Sequence, residues 1–407
     1  MDNRDIYARL GVRTIINAKG TATRLSGGIM EPEVADAMRA ATQACVDMGE
    51  LQGRASAIIA GISGAQAGYV TSGAAAAVLL GAAACVTGLD PGRINRLPDT
   101  RGMRNRVVMV RSQRNFYDHA VRAVGVELVE VGIADRYSGP GVRDAEAWEI
   151  ADAIDEHTAC VFYVAQPQSR PPLREVAEVA HAAGVPLLVD AAGQLPPVAN
   201  LRRFIDEGAD LVAFSGGKAI GGPQASGVLC GRRDLVAAAA LHNLDHDIFF
   251  EQWVPPPGLI DKSALRGLPQ HGIGRACKAG KEQIVGLLVA LQRFDDAAVR
   301  ARHARCDAVL DAIEHALAPD LPARIERTRS VPGDEPRLVL WLSPQAPYTA
   351  LALVIALQDG EPPVHVDPAR AAENAIVLVP TVLVPDDAPV VARRINAELG
   401  RPTPARS

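Results

Sequence analysis

The stretch PLLVDAAGQLPPVANLRRFIDEGADLVAFSGGK, residues 186–218, decides the fold class. Its two apolar runs, PLLVDAA (Pro186 to Ala192) and LVAFS (Leu211 to Ser215), are continuously hydrophobic and read as strands covered on both faces. Between them LRRFIDEG carries apolar residues at helical spacing and stops at Gly208, as a crossover helix does. Strand, helix, strand in that order gives a parallel pair, the repeating unit of α/β architecture.

The same rhythm extends outward. VVMV (Val107 to Val110), ELVEV (Glu127 to Val131), CVFYVA (Cys160 to Ala165) and SGVLCG (Ser226 to Gly231) read as further strands of one mostly parallel sheet. DAEAWEIADAID and LREVAEVAHAAG, the latter stopped by Gly184, read as helices between strands. After PPPG (Pro255 to Gly258) a long helical stretch from about Lys278 to Leu317 leads into RLVLWLS, PPVHV and AIVLVP, separated by one or two helices. The opening INAKGTATRLSGG is loop-rich and precedes a helix from about Pro32 to Met48; no repeat of solenoid period is present. The predicted division is an N-terminal loop and helix over residues 1–50, packing with the small domain, a large domain over 51–265 and a smaller α+β domain over 266–407.

A chain of 407 residues with 48% hydrophobic and only 4% aromatic residues suits helices packed on a buried sheet rather than an aromatic-rich sandwich. The net charge of −5 is spread along the chain with no long run of Lys or Arg, which argues against nucleic acid as a partner. Cys45, Cys85, Cys160, Cys230, Cys277 and Cys306 are scattered and read as reduced, buried thiols. The N-terminus has no apolar signal region, and the longest apolar stretch, Ala74 to Val86, is too short to span a bilayer, so the expected location is the cytoplasm.

Three motifs carry chemistry. VTSGAAAAVLLGAAA sets Thr71, Ser72 and Gly73 before a long Ala-rich helix, where free N–H groups and the positive end of the helix dipole suit a phosphate. Ser72 taken alone would serve equally as a plain N-cap. PLLVDAAGQLPP ends a buried strand on Asp190, where a carboxylate is unfavourable without a cation; a protonated pyridine nitrogen is one such partner, and a strand-end turn is the competing explanation. DLVAFSGGKAIGGPQASGVLCG sets Lys218 between glycine pairs, which admit a planar cofactor, and desolvation would give the lysine the lowered pKa of a Schiff-base amine. A surface-loop lysine is the weaker explanation. Phosphate cup, strand-end acid and Ser-Gly-Gly-Lys are together what a lysine-bound pyridoxal phosphate requires.

On these motifs and their spacing the chain resembles the fold-type I pyridoxal-phosphate enzymes, and over nearly its whole length it is similar to their selenocysteine-synthase-like branch, which includes the D-glucosaminate-6-phosphate ammonia-lyases. INAKGTATRLSGGIMEPEVADAM is similar to that family's N-terminal active-site loop, RNFYDHAVRAVGVELVEVG to the segment over the cofactor ring, and LPQHGIGRACKAGKEQIVGLLVAL to its later basic segment. The resemblance implies a mostly parallel seven-stranded sheet with helices on both faces, a smaller α+β domain and pyridoxal 5′-phosphate as cofactor. It further implies that Lys218 carries the cofactor, that Asp190 pairs with the ring nitrogen, and that Ser72, Gly73, Ala74 and Ser215 bind the phosphate. Gln166 and Gln194 would lie near the ring, and one of Asn115, Phe116 or Tyr117 would cover its face.

Thr21 in the N-terminal loop and Arg275, with Lys278 nearby, are candidates for holding the substrate, since a guanidinium grips a carboxylate or phosphate in a fork. Lys281 reads as part of a solvated face. His119 and His271 are candidate proton shuttles, although a lone histidine is more often structural. Asp245, His246, Asp247 and Glu251 in LDHDIFFE read as a loop near the site mouth and not as a metal set.

Two departures bear on function. The cup reads TSGAAAA where selenocysteine synthase is richer in Asn, and the basic RNA-binding N-terminal region of that enzyme is missing; a transfer-RNA substrate is therefore not expected. The reaction implied is an α,β-elimination. The substrate amine displaces Lys218 from the cofactor, the freed lysine takes the α-proton, and loss of the β-hydroxyl leads to a 2-keto-3-deoxy acid and ammonia. The rivals are an amino-acid racemase or epimerase with Tyr117, His119 or His271 as second proton donor, a non-catalytic cofactor-binding protein, and a phosphate-binding enzyme that leaves Lys218 idle. A homodimer or larger even assembly is implied, with the Arg275 segment crossing between subunits.

Overall fold

The computed structural model describes residues 3–133 and 144–400. Their strands are β1 (Ile16–Ala18), β2 (Ala67–Thr71), β3 (Arg106–Val110), β4 (Glu127–Val131), β5 (Thr158–Val164), β6 (Leu187–Asp190), β7 (Leu211–Ser215), β8 (Gly227–Gly231), β9 (Ala323–Arg329), β10 (Pro336–Leu342), β11 (Val364–Val366) and β12 (Ala375–Leu378). Seven of them form one sheet in the order β2-β8-β7-β6-β5-β3-β4. From β7 to β4 every pairing is parallel; β8 runs antiparallel to both β7 and β2. The six strands read from hydrophobic runs are all present in this sheet, and the seventh, β2, was not among them.

The crossover helices Leu173–Ala182 and Asn200–Asp206 stand where the β5–β6 and β6–β7 connections need them. Gly184 and Gly208, both at positive φ, follow them as stops. The Ala-rich helix Ala74–Thr87 is largely buried; its small side chains let it contact β5, β6, β7 and β8 at once.

The chain divides into two compact units, one of Met1–Ile29 with Asp295–Ser407 and one of Met30–Phe294, rather than at residues 50 and 265. The reason lies in three helices. Pro32–Ala41 packs on Lys281–Gln292, and Met48–Ser63 packs on β2, so all three belong with the large sheet. Two helices expected from the sequence differ in extent: the first ends at Ala41 rather than near Met48, and the second is interrupted. Asp47 accepts the Glu50 N–H at 2.8 Å and starts a new helix, and Asp295 accepts the Ala298 N–H at 2.7 Å and separates Lys281–Gln292 from Asp296–Ala316.

The other unit holds the antiparallel sheet β12-β10-β9 and the parallel pair β1–β11. Leu310, Leu338, Leu353, Ile376 and Ile395 lie at the centre of its core. β9, ARIERTR, escaped the sequence reading because its side chains are mostly charged and only partly covered.

Candidate active site

Parallel strands present their carboxyl ends to one crevice, and four of the predicted groups stand there. Asp190 ends β6 in register with Val164 of β5 and Ala213 of β7. Its Oδ1 accepts the Ala192 N–H at 3.0 Å. Burial pushes its carboxyl above the usual carboxylate range, against hydrogen bonding by Ala192 and the positive charge of Lys218. A carboxylate so placed favours a cation.

Lys218 follows β7 in a turn held by Gly216 N–H to the Ser226 carbonyl at 2.9 Å and Gly222 N–H to the Gly216 carbonyl at 2.9 Å. The glycines before it serve the chain itself: a Cβ on Gly217 would lie 2.7 Å from the Gln224 Cα, and one on Gly216 would meet Leu287 Cδ1 at 2.6 Å. The Lys218 side chain is exposed rather than desolvated, and among the described residues its ammonium forms no ion pair.

The residues predicted to hold a phosphate stand at neighbouring strand ends. Gly73, at φ +148°, leads into the helix that begins at Ala74, whose first N–H groups have no intrahelical acceptor. Gly227 of β8 stands in register with both Thr71 of β2 and Ser215 of β7, which brings Ser215 to the cup. A Cβ on Gly227 would lie 2.5 Å from the Gly73 carbonyl carbon and 2.7 Å from the Ala74 nitrogen. Ser72 Oγ donates to the Cys277 carbonyl at 2.9 Å.

Asn115 and Gln166 line one cleft of about 320 Å³ together with Gln113, Arg114, Val164 and Ser169. Val164 is the register partner of Asp190, so this cleft adjoins the acid. Asn115 Oδ1 caps the Tyr117 N–H at 2.8 Å, whereas Phe116 and Tyr117 are 92% and 66% exposed. Gln194 stands in the turn after Asp190, its N–H on the Ala191 carbonyl at 3.0 Å.

Thr21 belongs to the other unit, beside Gly28. Arg275 pairs with Asp245 at 2.8 Å, and Lys278 is exposed. Lys281 is half-buried, not on a solvated face, and donates to the Ala41 carbonyl at 2.7 Å. His119 is exposed, and exposed His271 sits 3.2 Å from Asp247. His246 is buried edge-on to Trp253, and burial drives its pKa down to about 4. Asp245, Asp247 and Glu251 are exposed, and among the described residues no three His, Cys, Asp or Glu side chains are grouped to hold a metal. All six cysteines are free; only Cys160, Cys230 and Cys306 are buried, Cys85 and Cys277 are half-buried and Cys45 is exposed.

Two positioning groups had no sequence signal. Gln113 Oε1 accepts the Val164 N–H at 2.9 Å while its Nε2 donates to the Arg170 carbonyl at 3.2 Å, fixing the loop that carries Gln166. Tyr69 and Asn243, from β2 and the end of the helix Arg233–Asn243, share a buried hydrogen bond of 2.9 Å. Each pair is distant in sequence, so no local pattern announces it.

A family model described as SelA: L-seryl-tRNA selenium transferase matches residues 15–249. The chain belongs to this family. Like the fold-type I enzymes the SelA-family chain is dependent on pyridoxal phosphate and is an enzyme of the lyase type. It is 31% identical to a D-glucosaminate-6-phosphate ammonia lyase of Salmonella typhimurium, over 78% of each chain. It is 30% identical to a 5'-C-glycyluridine monooxygenase-decarboxylase of a Streptomyces species, over 98% of this chain and 94% of that one. A solved structure of D-glucosaminate-6-phosphate ammonia-lyase superposes with a TM-score of 0.79 at 26% identity, covering 97% of this chain and 99% of that one. Among the described residues no helix of this SelA-family chain is long and apolar enough to cross a membrane.

Proposed function

We propose that the chain releases ammonia by α,β-elimination from a β-hydroxy amino acid or amino sugar acid, with or without a phosphate on it. The observation that carries this reading is a half-buried strand-end carboxylate, Asp190, raised by desolvation and facing the charge of Lys218 beside a helix start. That set fits the cofactor: Ser72, Gly73, Ala74 and Ser215 would hold its phosphate, Asp190 its ring nitrogen and Lys218 its aldehyde carbon. Asn115 would cover the ring, with Gln166 and Gln194 at its edge. When bound, pyridoxal phosphate supplies an electron sink for negative charge at the substrate α-carbon.

The chain's own groups do the rest. Asp190 keeps a proton on the ring nitrogen, because a carboxylate shielded from water favours its cationic partner. Lys218 Nζ takes the α-proton and returns it where a leaving hydroxyl needs it. We assign the substrate carboxylate or phosphate to Arg275, whose guanidinium can grip such an oxyanion in a fork. The α C–H and β C–O bonds break, water leaves, and hydrolysis of the released enamine gives a 2-keto-3-deoxy acid and ammonia. Support for this choice of leaving groups comes from the likeness to the ammonia lyase. The transfer-RNA chemistry in the family's name is not adopted, since a net charge of −5 without a basic run suits small substrates. Free thiols fit a reducing cytoplasm, and we expect an even homo-oligomer.

A second reading rests on the nearly full-length match to the monooxygenase-decarboxylase: the same groups would expel carbon dioxide with uptake of oxygen. The test is a panel of sugar amino acids and common D- and L-amino acids in deuterated water. Ammonia with keto acid is the expected result. Carbon dioxide with oxygen consumption would move the assignment to the second reading, and α-deuteration without keto acid would make the enzyme a racemase.

A further inference from the structure

Asn243 ends the helix Arg233–Asn243 and is only 4% exposed, yet every polar atom of its side chain is engaged. Oδ1 accepts the Tyr69 hydroxyl at 2.9 Å, and Nδ2 donates to the Gly274 carbonyl at 2.8 Å and the Cys277 carbonyl at 3.4 Å. Burial pushes the Tyr69 phenol far above its usual range, so that hydroxyl stays a donor. The amide orientation is therefore dictated: oxygen toward the phenol, nitrogen toward two carbonyls.

The segment it grips is laid tightly on the helix end. A Cβ on Gly272 would fall 2.7 Å from the His242 carbonyl oxygen, and one on Gly274 would fall 2.9 Å from the same atom. The Asn243 carbonyl in turn accepts Arg275 Nη1 at 3.4 Å. Most telling is the Cys277 carbonyl, which takes two donors, Asn243 Nδ2 and the Ser72 hydroxyl.

We propose that Asn243 is a positioning residue for the phosphate cup: it keeps the Cys277 carbonyl paired so that the Ser72 hydroxyl is free to turn toward a phosphate oxygen. Ser72 has one hydroxyl proton and cannot give it to Cys277 and to an anion at once. With Asn243 in place, the carbonyl retains a partner when Ser72 turns away. Without it, the same rotation leaves this half-buried carbonyl with neither protein donor, which costs free energy. Tyr69 fixes the other end of the amide, which ties β2, the strand leading into the cup, to the same device.

This rests on the cup reading given above, and the test separates the two. Affinities for pyridoxal phosphate and for pyridoxal, which lacks the phosphate, are measured by absorbance titration of the full chain and of Asn243→Leu. Wild type should prefer the phosphate-bearing form, and the variant should lose about tenfold in that preference, with pyridoxal binding nearly unchanged. Tyr69→Phe, which removes one hydroxyl and leaves Nδ2 in place, should lose about threefold and serves where Asn243→Leu does not fold. An unchanged preference in the folded variant overturns the role of Asn243 alone. A wild type that binds both forms equally overturns the cup itself. A merely structural asparagine would weaken both ligands together, which also counts against the proposal.

Discussion

Asp190→Asn should move two measurements in opposite directions: the cofactor-free protein becomes more stable, while its hold on pyridoxal phosphate weakens. Burial raises the Asp190 pKa, with the Ala192 N–H and Lys218 pulling the other way. An acid whose pKa is raised on folding binds its proton more tightly in the folded state. Stability then falls as pH climbs from the unfolded value through the folded one and is level above it. Asparagine carries no such charge, so the variant should lose that segment of pH dependence and melt above wild type at neutral pH.

Toward the cofactor the sign reverses. A hydrogen bond to a charged partner contributes about 1.5–3 kcal/mol, which is about a ten- to hundredfold change in Kd. The neutral amide forfeits most of that, and it also ceases to keep the ring nitrogen protonated, so turnover should fall further than affinity. The assays are thermal melts of the cofactor-free protein from about pH 4 to about pH 8 and an absorbance titration with the cofactor. A variant that melts below wild type at neutral pH and binds the cofactor undiminished would refute the reasoning, because the acid would then serve the fold and not a cation.

Borohydride reduction of the cofactor-loaded protein should fix a pyridoxyl group on the peptide containing Lys218, and Lys218→Ala should give no such adduct by mass mapping. Gly227→Ala places a methyl 2.5–2.8 Å from the Gly73 and Ala74 backbone, so it should destabilise the fold by about 1–3 kcal/mol in denaturant melts and weaken phosphate-bearing ligands beyond that. His242 is buried beside Thr87 Oγ1 at 2.9 Å and its pKa is lowered from 6.5 to about 4 by burial. The folded state therefore binds fewer protons there, and roughly 3 kcal/mol of stability should drain away as pH falls from about 6.5 to about 4, a slope that His242→Asn should reduce. Asp47→Ala removes the acceptor of the Glu50 N–H and should lower stability by about 1 kcal/mol in the same melts.

What could be read in advance was whatever a short window of sequence encodes. Strands β3 and β5 to β8 announce themselves because nearly all their residues are apolar and buried, and edge strand β4 by its apolar Leu128, Val129 and Val131, of which only Val131 is buried. Asp190 and Lys218 were legible because each follows such a strand directly, at the end where parallel sheets gather ligands. β9 was not, since ARIERTR alternates charge with small coverage and owes its place to seven register partners in β10. The helix starts at Asp47 and Asp295 were lost because a capping aspartate inside an apolar-periodic run looks like one more polar position until its backbone partner is known.

The glycines around Lys218 make the sharper point about what a motif can mean. Ser-Gly-Gly-Lys was read as clearance for a flat ring, yet the space at Gly216 and Gly217 is already taken by Leu287, Gln224 and Ser226 of the same chain. The same crowding fixes the turn that carries the proposed lysine: Gly216 N–H bonds the Ser226 carbonyl and Gly222 N–H the Gly216 carbonyl, while the Lys218 side chain is exposed. Glycine there purchases position for the backbone and not room for a ligand. At Gly73, by contrast, φ +148° turns the chain into the helix whose first N–H groups we propose for the phosphate. Two glycine signals that look alike in sequence thus act on opposite partners, and only the packing of β8 and its flanking loop against them tells which is which.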